Sequence, residues 1–192
     1  MSKTKKLLTN SLKQLLREKT LEKITIGELA EQSGINRKTF YYHFGDIYGL
    51  VDWALTQDFL AALGDNYTYS TWEEGYLNVL KMAREDESCL FGAFPNLGLE
   101  YVEYTMSQLV GEILSGITDE LSVGLEIDEN DKMMIVDFYH HAIVGITIQW
   151  LDEGKSENPE YVVDRVSRFM DGNIARAIDV VSKGRKKKAP RF

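Results

Sequence analysis

Within one short stretch the chain carries a helix start, a helix stop and a second helix start. Thr25-Ile26-Gly27-Glu28 is a capping-box pattern, in which the threonine accepts from first-turn amides while the glutamate reaches back. It predicts a short helix to about Ser33, broken at Gly34, where a residue without Cβ can take positive φ. Asn36 is suited to cap a further helix over Arg37 to Phe44, and Gly45 stands where a C-cap glycine would. Two helices joined so tightly touch at a crossing that admits only a small residue. Ala30, fifth from Ile26, fills that role, Gly34 is ninth, and Leu29 and Ile35 bracket the turn. Phe40 and Phe44, four apart, share the buried face of the second helix. This is the pattern of a helix-turn-helix.

Apolar residues at three and four spacing extend the helical reading along the rest of the chain. Leu8, Leu12, Leu15 and Leu16 predict an amphipathic first helix from about Thr4 to Lys19. A fourth helix is expected from near Asp46 to Leu63, ended by Gly64. Ser70-Thr71-Trp72-Glu73 reads as another capping box opening a helix to Glu85, and Pro95 as the close of a shorter one around Leu90. Three long helices follow: Tyr101 to Val123, Glu129 to Glu153, and Pro159 to Val181 with Asn158 as N-cap. No segment alternates as a strand does. The predicted fold class is all-α: an N-terminal three-helix head over residues 1–45, a helical body over 46–183 and a basic disordered tail over 184–192.

The net charge of −8 is unevenly spread. Residues 1–50 carry nine Lys/Arg against five Asp/Glu, residues 51–183 eight against twenty-five, and the tail five basic residues and no acidic one. A basic head on an acidic body suits an anionic partner for the head alone. The longest apolar run, Ala142 to Ile148, is far short of the roughly 20 residues of a membrane span. Thr9, Asn10 and Ser11 interrupt what would be a secretory signal after Leu7 and Leu8. Cys89, the single cysteine, can make neither an intrachain disulfide nor a zinc site by itself. These features predict a cytoplasmic protein with no membrane segment, no metal and no cofactor.

The outward residues of the helix-turn-helix are cationic, hydroxyl-bearing and amphipathic, groups that bond base edges or phosphates. Thr25 through Leu50, TIGELAEQSGINRKTFYYHFGDIYGL, resembles the DNA-binding signature of the tetracycline-repressor (TetR) family. Thr25, Ala30, Gly34, Thr39, Phe40, Tyr41, His43, Phe44 and Leu50 carry the match. The resemblance implies a dimeric transcription regulator on double-stranded DNA, most often a repressor. By it Thr25 binds phosphate, Arg37 and Lys38 read bases, Tyr41 and Tyr42 touch backbone or thymine methyls, and His43 holds phosphate, with Asn36 and Thr39 in the same surface. Two departures stand out: Ile47 where the family usually has a phosphate-contacting lysine, and Asn36 where serine is common.

In the body, FYHHAIVGITIQWLDEG over residues 138–154 resembles a branch of that family that includes regulators of dihydroxyacetone kinase genes. The resemblance implies a homodimer whose last two long helices pair with their symmetry mates. Ala142 and Gly145 permit close approach there, while Ile146, Trp150, Val166, Phe169 and Met170 offer area to bury. It also implies a pocket for a small-molecule effector of unknown identity, with Trp53, Phe59, Trp72, Tyr76, Phe91, Phe94, Tyr101 and Tyr104 as candidates. The acidic body favours a neutral or cationic apolar ligand. His140 and His141, adjacent on a helix, point about 100 degrees apart and predict packing or hydrogen bonding rather than metal binding. No nucleophile paired with a histidine and an acid, phosphate-binding glycine loop, HExxH or CxxC is visible, so an enzyme is not expected. The alternative to an operator-binding regulator is a co-regulator that acts mainly through protein contacts.

Overall fold

The computed structural model describes residues 3–85, 90 and 94–188, without the side chains of 94, 95, 99 and 184–188. Among these residues all regular structure is helical: α1 (Lys3–Leu16), α2 (Ile26–Ser33), α3 (Arg37–His43), α4 (Ile47–Leu63), α5 (Trp72–Glu85), α6 (Phe94–Leu97), α7 (Leu99–Leu121), α8 (Glu129–Asp152), α9 (Pro159–Met170) and α10 (Asn173–Lys188), with a 3-10 turn at Leu21–Lys23. None of them is long and apolar enough to cross a membrane.

The chain packs as two compact units, Met1–Ala62 with Val79–Thr105, and Leu63–Asn78 with Met106–Phe192. In the first, Leu8, Leu12 and Leu16 of α1, Leu29 of α2, Phe40 of α3 and Leu50 and Leu55 of α4 are all fully buried, a core from which water is excluded. The helix-turn-helix therefore shares its core with α4. Polar bonds fasten the same parts: Asp58 on α4 accepts from Lys13 Nζ at 2.6 Å and from the Leu90 amide at 2.8 Å, and Asn96 donates to the Leu16 carbonyl at 2.8 Å. In the second unit, Ile143, Val144, Trp150 and Leu151 of α8 pack with Val162, Val163 and Val166 of α9 and Ile174 and Ile178 of α10 among the buried residues. Tyr76 on α5 reaches α8 through a buried hydroxyl pair with Thr147 at 2.9 Å. Thr147 in turn donates to the Ile143 carbonyl, so the phenol is the donor.

Most helix boundaries fall where the capping signals place them, with four corrections. The stretch expected as one helix from Pro159 to Val181 is two, because Gly172 turns left-handed at φ 70° between α9 and α10. The start is as expected, with Asn158 accepting from Glu160 N and Pro159 in the first turn. Gly45 is not in the left-handed region; α3 ends on Phe44, extended at φ −140°, and Asp46 then caps α4 by accepting from Gly49 N at 2.9 Å. The helix near residue 72 begins at Trp72 rather than Thr71, whose hydroxyl turns back to accept from Thr68 N. Pro95 lies in the first turn of α6, a position where its missing N–H costs nothing, while the helix expected around Leu90 lies mostly outside the described residues. At the other end α10 continues to Lys188, into the stretch expected to be unstructured, while residues 189–192 lie outside the described residues, as do Cys89 and Phe91.

Candidate nucleic-acid interface

Local hydrogen bonds set the frame of the helix-turn-helix. Thr25 Oγ1 accepts from Glu28 N at 3.2 Å and donates to Glu28 Oε2 at 2.9 Å, while Thr25 N donates to the same carboxylate oxygen at 2.9 Å. Gly34 takes φ 67° and Ile35 N reaches the Ala30 carbonyl at 2.9 Å, the closing bond of a Schellman turn. Asn36 Oδ1 then accepts from Lys38 N at 2.6 Å and Thr39 N at 3.3 Å to open α3. These bonds span at most five residues, which is why the sequence predicts them.

Packing fixes which face of α3 looks outward. Phe40 is fully buried and Phe44 nearly so, with ring centroids 5.9 Å apart. Arg37 and Lys38 are exposed, and Tyr41 and Tyr42 are 56% and 84% exposed. Thr39 and His43 are half-buried at the edges of that face, and Thr25 and Asn36 are exposed at the two helix starts. The eight residues expected to meet DNA thus occupy the two capped helix starts and the solvent side of α3. Gly27 lies beside this surface, a neighbour of Arg37 that sequence reasoning missed. The Arg37 guanidinium rests over Gly27 in the first turn of α2, where a Cβ would make this exposed, flexible side chain swing aside. Ile47 is half-buried in the first turn of α4.

Glu28 couples the α2 cap to charge. Hydrogen bonds from Lys19 Nζ, from the Thr25 amide and from the Thr25 hydroxyl hold its carboxyl down from 4.5 to about 2. A carboxylate with a depressed folded pKa contributes stability that is fully present above its unfolded value and lost as pH falls toward the folded one. Glu28→Gln should therefore flatten the acid side of the melting-temperature profile between about pH 4.5 and pH 2, as followed by circular dichroism. A variant as acid-sensitive as the parent would mean that Glu28 does not carry this effect.

The effector candidates divide between the units. Trp53 is half-buried at the base of the head, its ring 5.9 Å from Phe44, with Lys5 Nζ 5.1 Å from both rings. Phe59 is core. Tyr101 and Tyr104 line a cleft of about 480 Å³ between α4 and α7. In the second unit Trp72 is half-buried and Tyr76 is buried, its hydroxyl pushed up to about 12 by burial. Phe91 and the Phe94 side chain lie outside the described residues.

The dimer candidates come together. Ala142, Ile146, Trp150, Val166, Phe169 and Met170 all line one groove of about 720 Å³ between α8 and α9. Trp150, Val166 and Met170 form its buried floor, Ile146 and Phe169 its exposed walls, and exposed Gly145 leaves open space beside it. Phe138, 69% exposed, extends the apolar surface. His140 and His141 are hydrogen-bonded at 3.2 Å, and His141 Nδ1 donates to the Asp137 carbonyl at 2.7 Å. Burial, with His141 beside it, lowers the pKa of His140. Among the described residues no three His, Cys, Asp or Glu side chains converge as a metal site.

A capped α2, a left-handed glycine turn and an α3 with buried phenylalanines and outward cations and tyrosines define a helix-turn-helix DNA-binding protein. A family model described as "Bacterial regulatory proteins, tetR family" matches residues 8–53, and one described as "Transcriptional regulator C-terminal region" matches residues 70–172. The chain belongs to the TetR family of transcriptional regulators. Over 84 residues it is 26% identical to the HTH-type dhaKLM operon transcriptional activator DhaS of Lactococcus lactis subsp. lactis (strain IL1403), covering 44% of this chain and 45% of that protein. Over 152 residues it is 23% identical to the HTH-type transcriptional regulator YxbF of Bacillus subtilis (strain 168), covering 77% of this chain and 39% of that one. The matched segments span less than half the length of both relatives. Among solved structures, the dihydroxyacetone kinase operon activator DhaS superposes with a TM-score of 0.61 at 19% identity, over 94% of this chain and 98% of that one. NalD, the secondary repressor of the MexAB-OprM multidrug efflux pump in Pseudomonas aeruginosa, does so at 0.56 and 16% identity, over 91% and 95%. These likenesses establish the fold.

Proposed function

We propose that the protein is a homodimer whose two heads, residues 1–45, bind a palindromic double-stranded DNA operator, and whose helical body, residues 46–183, binds a small-molecule effector that changes operator affinity. The observation that carries this reading is the two-sided α3, which buries Phe40 and Phe44 and offers Arg37, Lys38, Tyr41 and Tyr42 to a groove. Thr25 and His43 hold phosphates at its margins. The groove between α8 and α9, which gathers Ala142, Ile146, Trp150, Val166, Phe169 and Met170, supports a dimer contact there; a two-fold axis at that contact would relate two recognition helices to half-sites spaced by whole DNA turns of about 10 base pairs. The action is repression where the operator overlaps a promoter; DhaS is an operon activator and NalD a repressor, so both signs occur on this fold.

The test is fluorescence anisotropy against the DNA upstream of the protein's own gene and against a scrambled duplex, at two salt concentrations. Tight binding to the upstream DNA that survives higher salt while the scrambled duplex is released supports the reading. Tyr42→Ala should weaken specific binding roughly tenfold, within the about 1–3 kcal/mol of a recognition contact, without moving the melting temperature. A second reading, a co-regulator acting through protein contacts, draws on Ile47 in place of a phosphate-contacting lysine. Weak, unsaturable binding to both duplexes, and affinity unchanged by Tyr42→Ala, would favour it.

A further inference from the structure

The cleft between α4 and α7 lies wholly within the first compact unit, and its lining carries three tyrosines and two carboxylates. Tyr48 and Asp52 are four residues apart on α4, and Glu100 and Tyr104 are four apart on α7, so each helix turns an aromatic ring and a carboxylate to the same side. The Tyr48 and Tyr101 rings stack at 5.1 Å and 13°, forming a shelf across the two helices. Thr105, 1% exposed, donates to Asp52 Oδ1 at 3.0 Å and so orients the carboxylate from the protein side. Tyr48 and Tyr104 are 47% and 62% exposed at the cleft. No lysine or arginine is among the lining residues.

We propose that this cleft is a binding site for an apolar organic cation. Ring faces attract a cation through their quadrupole, most strongly where water is partly displaced. Two carboxylates without a lining counter-charge add Coulomb attraction and repel anions. The volume of about 480 Å³ is that of small-molecule sites, which run from roughly 300 to 1,000 Å³. The site deepens the effector reading above and rests on it for any consequence on DNA, since α4 starts directly after the recognition helix.

Isothermal titration calorimetry of the full chain with tetraphenylphosphonium, and with the isosteric anion tetraphenylborate, separates charge recognition from apolar adhesion. The phosphonium is expected to bind one per chain, at least tenfold more tightly than the borate. Asp52→Asn, whose amide oxygen can still accept from Thr105, and Tyr104→Ala, at an exposed position, should each weaken the phosphonium at least tenfold. Circular dichroism checks that both variants fold. Equal affinity for the two ions, phosphonium binding untouched by both variants, or no binding at all would overturn the site and leave the exposed tyrosines to a protein partner. Operator anisotropy with the phosphonium present distinguishes the two readings. Binding lost in both variants but without effect on operator affinity keeps the cleft and removes its role as effector site. An operator effect that persists in both variants removes the cleft as the effector site and keeps an effector site elsewhere.

Discussion

The double variant Ile146→Asp/Phe169→Asp should sediment as a folded monomer at concentrations where the parent is a dimer, and should lose at least about a hundredfold in operator affinity. Both side chains stand out from the groove between α8 and α9, 41% and 78% exposed, above a floor of Trp150, Val166 and Met170. Because neither is core, the monomer should keep its stability to within about 0.5 kcal/mol. In a two-fold dimer each substitution occurs twice, so four carboxylates would enter an apolar interface, each costing several kcal/mol when unpaired. With about 1.4 kcal/mol per tenfold, even partial relief by water leaves the association weakened by orders of magnitude. On the proposed reading, DNA affinity follows because a monomer would engage one half-site. Sedimentation velocity reads the first effect and anisotropy the second; a variant that remains a dimer would move the interface away from this face.

Phe40→Ala should cost about 3–5 kcal/mol, the range for deleting a buried phenylalanine, and abolish operator binding by loosening α3. The ring is fully buried, lies 5.9 Å from Phe44, and Phe44 is a further 5.9 Å from Trp53 on α4. That chain of rings, with Lys5 above the last two, attaches the recognition helix to α4. Urea unfolding should report the loss. Tyr42, two residues on and 84% exposed, is expected to give the opposite pair of results, weakened DNA binding at unchanged stability. If both variants lost stability alike, α3 would not be two-sided in solution.

How far the molecule was legible in its sequence follows from the range of the forces involved. The Thr25 and Glu28 box, the Gly34 turn and the Asn36 cap are each closed within a few residues, so residue identity and spacing suffice to place them. The clustering of the dimer candidates is nearly as legible, since apolar residues at helical spacing on α8 and α9 must face some common surface. Helix continuity was harder: Met170 and Ile174 keep the apolar period across Gly172, and only the fold reveals the left-handed turn between them. The aromatic residues were hardest. By sequence Trp53, Phe59, Tyr76 and Tyr104 are equivalent, large rings on successive helices. Tertiary contacts put the first beneath Lys5, the second in the core, the third on Thr147 and the fourth at an open cleft. Sequence alone determined most helix starts and the Thr25, Gly34 and Asn36 turns and caps, because those depend on bonds between near neighbours. Tertiary structure alone decided which rings are core and which line a cleft, because burial is set by atoms contributed from elsewhere in the chain.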